Sequence, residues 1–164
     1  MRTPARLPVH VLALAAGALV LAGCSAASEP ERDDAGAIVA TEESADVFAI
    51  AVGDCTNDPD DGADELLSVE AVPCSGPHDN EAYHAEDLPD GDFPGEEEVT
   101  AAADEICFDA FEPFVGLAYE DSRLGYGSLT PTSDSWADGD REILCLVADY
   151  EGEPLVGSAQ GLAE

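Results

Sequence analysis

Four cysteines, Cys55, Cys74, Cys107 and Cys145, are spread through an acidic chain that opens with an export signal. Together these features limit the fold more than anything else in the sequence. Arg2 and Arg6 give a basic flank, Val9 to Val20 is apolar apart from His10, and Leu21-Ala22-Gly23-Cys24 follows at once. A basic flank, a short apolar run and small residues at its end form a secretory signal, too short to remain as a spanning helix. A lipoprotein signal peptidase needs small side chains at Ala22 and Gly23 and an acylated thiol next. Residues 1–23 are therefore expected to be a lipoprotein signal peptide, cleaved before Cys24. The mature chain would be held by lipid (palmitate) on Cys24 at the extracytoplasmic face of the cell membrane.

Export decides how the other cysteines read. An even number in a small exported domain makes a disulfide framework. Four cysteines allow three pairings, and the sequence alone leaves all three open. Cys55–Cys74 with Cys107–Cys145 is favoured because each bond then ties neighbouring elements together. Zinc is the competing use of these thiols, but no C-x-x-C pair occurs, so no metal or other cofactor is expected.

Charge excludes several partners. The formal net charge is −32, from 37 acidic and five basic residues, with no lysine. Arg2 and Arg6 leave with the signal, so only Arg32, Arg123 and Arg141 oppose the carboxylates. Such a surface repels nucleic acid and anionic headgroups. Membrane contact is expected through the lipid anchor instead.

Residues 24–45 are small, polar and acidic, and are expected to be a flexible tether. Residues 46–164 are expected to form one domain. Val47 to Val52 is an apolar run that predicts a buried strand, and Leu66 to Cys74 predicts a second, ended by Pro73. Glu81 to Glu86 suggests a third strand, and Asp87 to Gly95 is loop. Val99, Ala102, Ala103, Ile106, Cys107, Ala110, Phe111 and Phe114 recur at helical spacing, behind three first-turn glutamates. Pro113 is expected to end or kink that helix. Ile143 to Tyr150 is the best strand in the chain, and Leu155 to Ala159 suggests an edge strand. The fold class expected is α+β: a small, mostly antiparallel sheet with one packed helix, stapled by two disulfides.

Three side chains stand out as a possible binding surface. His78, beside Asp79 and Glu81, has the chemistry of a general base or metal ligand, with His84 and Glu81 as further ligands. The sequence names no nucleophile for it, and bracing of the turn after Cys74 is the favoured role. Trp136 and Arg141 could anchor a partner, or Trp136 could be core with Arg141 tied to a nearby acid. Calcium loops of the EF-hand kind fail at their third position, which is Pro59, Leu88 or Trp136 for Gly62, Gly91 or Gly139 at the sixth. Ser133 and Ser135 lack a nucleophile-elbow context, so no catalytic residue is assigned and an enzyme is not expected.

Val52-Gly53-Asp54-Cys55, Val72-Pro73-Cys74, Pro77-His78-Asp79 with Glu81, Cys107, Pro131-Thr132, Ser135-Trp136, Gly139-Asp140-Arg141 and Cys145 together resemble the septum formation domain of actinobacterial envelope proteins. The resemblance runs from about Ala51 to Val147. It implies an extracytoplasmic, membrane-attached module linked to cell division or the envelope, and it implies no catalytic residues. The acidic insert Asn57 to Glu65 is not part of it. The function expected is a lipid-anchored binding protein whose partner is another envelope or division protein. A substrate- or ion-binding lipoprotein serving a transporter or sensor is the alternative.

Overall fold

Val99, Ala103, Cys107, Phe111 and Val115 repeat every four residues, and that spacing winds a 20-residue helix, α1 (Glu96–Val115), with all five side chains buried on one stripe. Glu96, Glu97 and Glu98 occupy its first turn, where the helix dipole favours anions. Gly116 closes it in the left-handed conformation (φ 85°), its N–H donating to the Glu112 carbonyl. Pro113 does not end the helix, which runs two residues further. In the last turn its missing N–H costs a single bond, and its flank faces solvent.

The computed structural model describes residues 28–58 and 66–163. The signal peptide, the lipidation residue Cys24 and most of the acidic insert lie outside the described residues. Eight strands form two sheets: β1 (Glu42–Asp46), β2 (Cys55–Asn57), β3 (Ser68–Val72), β4 (Pro77–His78), β5 (Asn80–Asp87), β6 (Leu124–Leu129), β7 (Glu142–Asp149) and β8 (Leu155–Val156). The main sheet is antiparallel throughout, in the order β1-β3-β2-β5-β7-β6, and β4 pairs with β8 in a small second ribbon. A short helix, α2 (Ser133–Ala137), precedes β7; Thr132 caps it, and Ser135 returns the bond to the Thr132 N–H. The α+β architecture with one main helix is therefore as the sequence indicates.

Helix α1 covers one face of the sheet. Phe111, Val115, Leu124, Ile143, Val147 and Tyr83 form this core, and the Tyr83 hydroxyl donates to the Cys107 carbonyl at 2.5 Å. Burial pushes the Tyr83 phenol far above its ordinary value, so it stays a neutral donor. Both favoured disulfides are present. Cys107–Cys145 joins α1 to β7, and Cys55–Cys74 joins β2 to the end of β3.

The opposite face is covered differently, and here two expectations are corrected. The segment expected as a flexible tether is folded onto the sheet from residue 28. Ser28 N–H donates to Ser44 O and Asp46 N–H to Ser28 O, while Arg32 and Ile38 bridge across a turn at Gly36 (φ 91°). Arg32 reaches Asp54 with two nitrogens (2.5 and 2.6 Å) and the Ala49 carbonyl with one. Asp54 is 3% exposed, and a buried carboxylate needs a paired cation. Hydrogen bonding to Asp54 raises the Arg32 pKa further, so the guanidinium stays charged. The second correction concerns Val47 to Val52. It is a 3-10 turn (Val47–Ala49) capped by Asp46, with Ile50 buried and Phe48 and Val52 exposed. The strand position it would fill is taken by β1.

Two stability predictions follow from these contacts. Cys107→Ser/Cys145→Ser should lower the unfolding free energy by about 4 kcal/mol and Cys55→Ser/Cys74→Ser by about 3 kcal/mol, since the closed loops span 38 and 19 residues. Urea denaturation reads both, and equal or negligible losses would contradict the assignment. Arg32→Ala, which strands the Asp54 carboxylate, should cost about 3 kcal/mol. Amide exchange at Ser28 and Val39 should quicken in that variant ahead of the α1 amides.

Candidate functional site

Each motif residue singled out in the sequence can now be placed. Backbone pairing of β4 with β8 sets His78 opposite Leu155, and its side chain is buried, with the residue 1% exposed. Nδ1 lies 3.0 Å from the Gly76 carbonyl, which can only accept, so that nitrogen carries the proton. Nε2 has no hydrogen-bond partner among the described residues. Asp79 ties this turn to β2: its N–H donates to Asn57 Oδ1 and Thr56 O, and its carboxylate accepts from Asp58 N–H. Glu81, 3% exposed, accepts from Ser158 Oγ and Ala159 N–H at 2.6 Å each. Glu81 therefore fastens the C-terminal segment to β5. Its oxygens are taken by those donors, and His84 lies instead 3.8 Å from Glu86. Among the described residues no three ligating side chains are placed to hold a metal ion.

Trp136 and Arg141 form a separate brace. Trp136, 6% exposed, donates from Nε1 to the Gly91 carbonyl and meets Phe93 edge-on at 5.6 Å. The Arg141 guanidinium lies 3.8 Å from the Trp136 ring centroid, and its Nη1 donates to the carbonyls of Trp136 and Asp140. Its Nε is 3.6 Å from the exposed Asp90 carboxylate, beyond hydrogen-bond range but within ion-pair range. The cluster pins loop Asp87–Gly95 between α2 and β7.

His78, Trp136 and Arg141 consequently do not make one binding surface. His78 sits just before Asn80, and Arg141 just before Glu142, which pairs with Asp87 at the far end of β5. An eight-residue strand separates them by roughly 23 Å. Two of the three are buried, and the third lies flat on a ring. Most of their polar atoms are engaged inside the fold, His78 Nε2 and Arg141 Nε excepted.

The same holds for the other arginines. Arg32 is paired with Asp54, and Arg123 with Asp149. The Glu151 N–H holds the Asp149 carboxyl below its ordinary range; burial opposes this, and the Glu153 N–H and Arg123 add to it.

One groove lies on the sheet face away from α1. The N-terminal segment covers that face over β3, β2 and β5 and reaches Leu144 of β7, which is buried, while Leu129 of β6 is only partly buried. A groove of about 550 Å³ remains, with Leu129 and Leu144 on its floor, Val47, Phe48 and Leu66 on one side and α2 on the other. Glu96, Asp134, Asp140 and Glu142 rim it. Desolvation, then the charges of Asp87 and Asp140, push the Glu142 carboxyl above its ordinary range. The apolar run Val47 to Val52 reads as core strand, which hides this groove from the sequence. The available signal is Asp46 directly before the run, whose side chain caps the 3-10 turn.

Replacing Arg141 by lysine keeps the charge but loses the planar stack and the forked donors. Arg141→Lys is expected to cost about 1 to 2 kcal/mol, read by urea denaturation, with near-ultraviolet circular dichroism reporting loosened Trp136. An unchanged midpoint would show that the stack contributes nothing.

A family profile described as septum formation matches residues 52–163. No curated protein and no solved structure matches the chain.

Proposed function

Because the chain belongs to the septum formation family, we propose that it is a lipid-anchored, extracytoplasmic binding protein of the cell envelope that works at or near the division septum. The family match, which spans both disulfides and both motif clusters, is the observation that carries this reading. Lipid anchoring is supported by Leu21-Ala22-Gly23-Cys24 directly behind an apolar run with a basic flank. Among the described residues no helix is long and apolar enough to cross a membrane. A covalent lipid on Cys24 would supply the attachment.

Binding rather than catalysis is favoured by how the motif side chains are used. His78 braces a turn, Glu81 holds the C-terminal segment and Arg141 stacks on Trp136, each facing inward. The charge of −32 favours a partner protein with basic groups over nucleic acid or anionic lipid.

Metabolic labelling with a palmitate analogue should mark the wild-type chain and leave Cys24→Ala unmarked. A tagged, lipidated chain should concentrate at the septum of dividing host cells. Labelling that survives Cys24→Ala would overturn the anchor, and a uniform envelope signal would overturn the division role.

A further inference from the structure

The main sheet is layered on both faces for only part of its width. On one face α1 packs across β5, β7 and β6. On the other, Ile38 and Ile50 of the N-terminal segment cluster with Val69, Ala71, Ala82 and Leu144 of β7, while Leu129 and Leu146 at the margin of that cluster are only partly buried and Gly127 and Ser128 of β6 are exposed. The β6–β7 register places Gly127 opposite Leu146 and Leu129 opposite Leu144, so these positions share the face away from α1. A Cβ built on Gly127 would meet no atom within 4 Å, which measures how open that face is. At the groove Phe48 is 66% exposed. Large apolar side chains at a concave, partly apolar face mark an interaction surface more often than chance exposure.

The rim decides the kind of occupant. Glu96, Asp134, Asp140 and Glu142 line the groove, and no basic residue does. Asp140 accepts only from neutral donors, the Ser135 hydroxyl and the Glu142 N–H. Each arginine of the described residues is paired elsewhere, so none can swing across to neutralise the rim. Two copies of the chain meeting here would bring two acidic rims together, and an anionic bilayer would be repelled.

We propose that this partly covered face, along β6 and the adjoining end of β7, docks a segment of a partner protein with an apolar stripe flanked by lysine or arginine. The stripe would lie on Phe48, Val47 and Leu129, and the cations would meet Glu142, Asp134 and Glu96. The segment completes the layer that α1 provides on the other side. The proposal rests on the reading of the chain as a binding protein and gives that reading a surface and a partner chemistry.

The probe is a synthetic leucine–lysine peptide of about 18 residues, five helical turns, with its leucines in one stripe. A scrambled peptide of the same composition is the control. Fluorescence anisotropy is measured at about 0.15 M salt, where long-range attraction to the general negative charge is screened. The protein is the mature chain from residue 24 carrying Cys24→Ala. The striped peptide should bind at least about tenfold more tightly than the scrambled one. Phe48→Ser should weaken it about fivefold, and Asp134→Asn/Glu142→Gln about tenfold, while Asp109→Asn/Glu112→Gln on α1 should change it less than about twofold. All these positions are solvent-facing, and circular dichroism confirms that the variants fold. Equal binding of both peptides, or equal losses from the two charge-removing pairs, would reduce the effect to bulk charge and overturn the docking face. Concentration-dependent self-association abolished by Phe48→Ser, or Phe48-dependent uptake onto phosphatidylcholine vesicles, would also overturn it by assigning the face to a second copy or to lipid. None of these results bears on septal enrichment of the wild-type chain, so failure of the face and failure of the septal role remain separable.

Discussion

The contact between α1 and β7, fixed by Cys107–Cys145, is the constraint on which the rest of this small domain depends. Around that bond Phe111, Val115, Ile143, Val147 and Tyr83 form the larger of the two cores. A chain with so many carboxylates gains self-repulsion on compaction. Apolar burial against α1 and loss of chain entropy in the unfolded state oppose that repulsion. With α1 in place, the hydrogen bonds around His78 and Glu81 hold the turn before β5 and the C-terminal segment against the sheet. The stacked Arg141 does the same for the loop before the helix.

Scarcity of cations explains much of what lies on the other face. Three arginines face 37 carboxylates, and each is placed where a long-range contact must be held. Arg32 secures the N-terminal segment to Asp54, Arg123 secures the start of β6 to Asp149, and Arg141 secures the Asp87–Gly95 loop. Only the first of these carboxylates is both buried and bidentately paired, and it converts a segment with the composition of a linker into a folded cover. That cover ends at Leu144 of β7 and leaves Leu129 of β6 only partly buried. The unfinished layer is therefore a consequence of where the chain enters the domain, and a partner can complete it without rearranging the core.

Legibility in the sequence followed how local each cause was. Helix α1 was plain because its buried stripe repeats every four residues, and β7 because Ile143 to Val147 is an unbroken apolar run with Cys145 at its centre. The disulfide pairing followed from adjacency. Strand β6 passed unnoticed because Gly125 and Gly127 dilute its pattern, although Tyr150 packs against Gly125 and Leu124 is fully buried. The folding of residues 28–46 was hidden because it depends on Arg32 finding an acid 22 residues away. The candidate surface suffered in the opposite sense. His78, Trp136 and Arg141 carry reactive chemistry, which draws attention, yet carbonyls and a ring inside the fold engage His78 Nδ1, Trp136 Nε1 and the Arg141 guanidinium. The groove consists of ordinary leucines and carboxylates, and it exists only through the register of β6 on β7 and the end of the N-terminal cover.

Site-specific photocrosslinking in dividing host cells tests the central claim most directly. A photoreactive residue would replace Phe48 at the groove or Val156 on β8, which is equally exposed and far along the chain. The account predicts a discrete crosslinked envelope protein from position 48, bearing a basic, apolar-striped segment at the crosslinked site. That product should be lost when Asp134→Asn/Glu142→Gln is added and be absent from position 156. The same product from both positions, or one from position 156 alone, would contradict recognition through the partly covered sheet face.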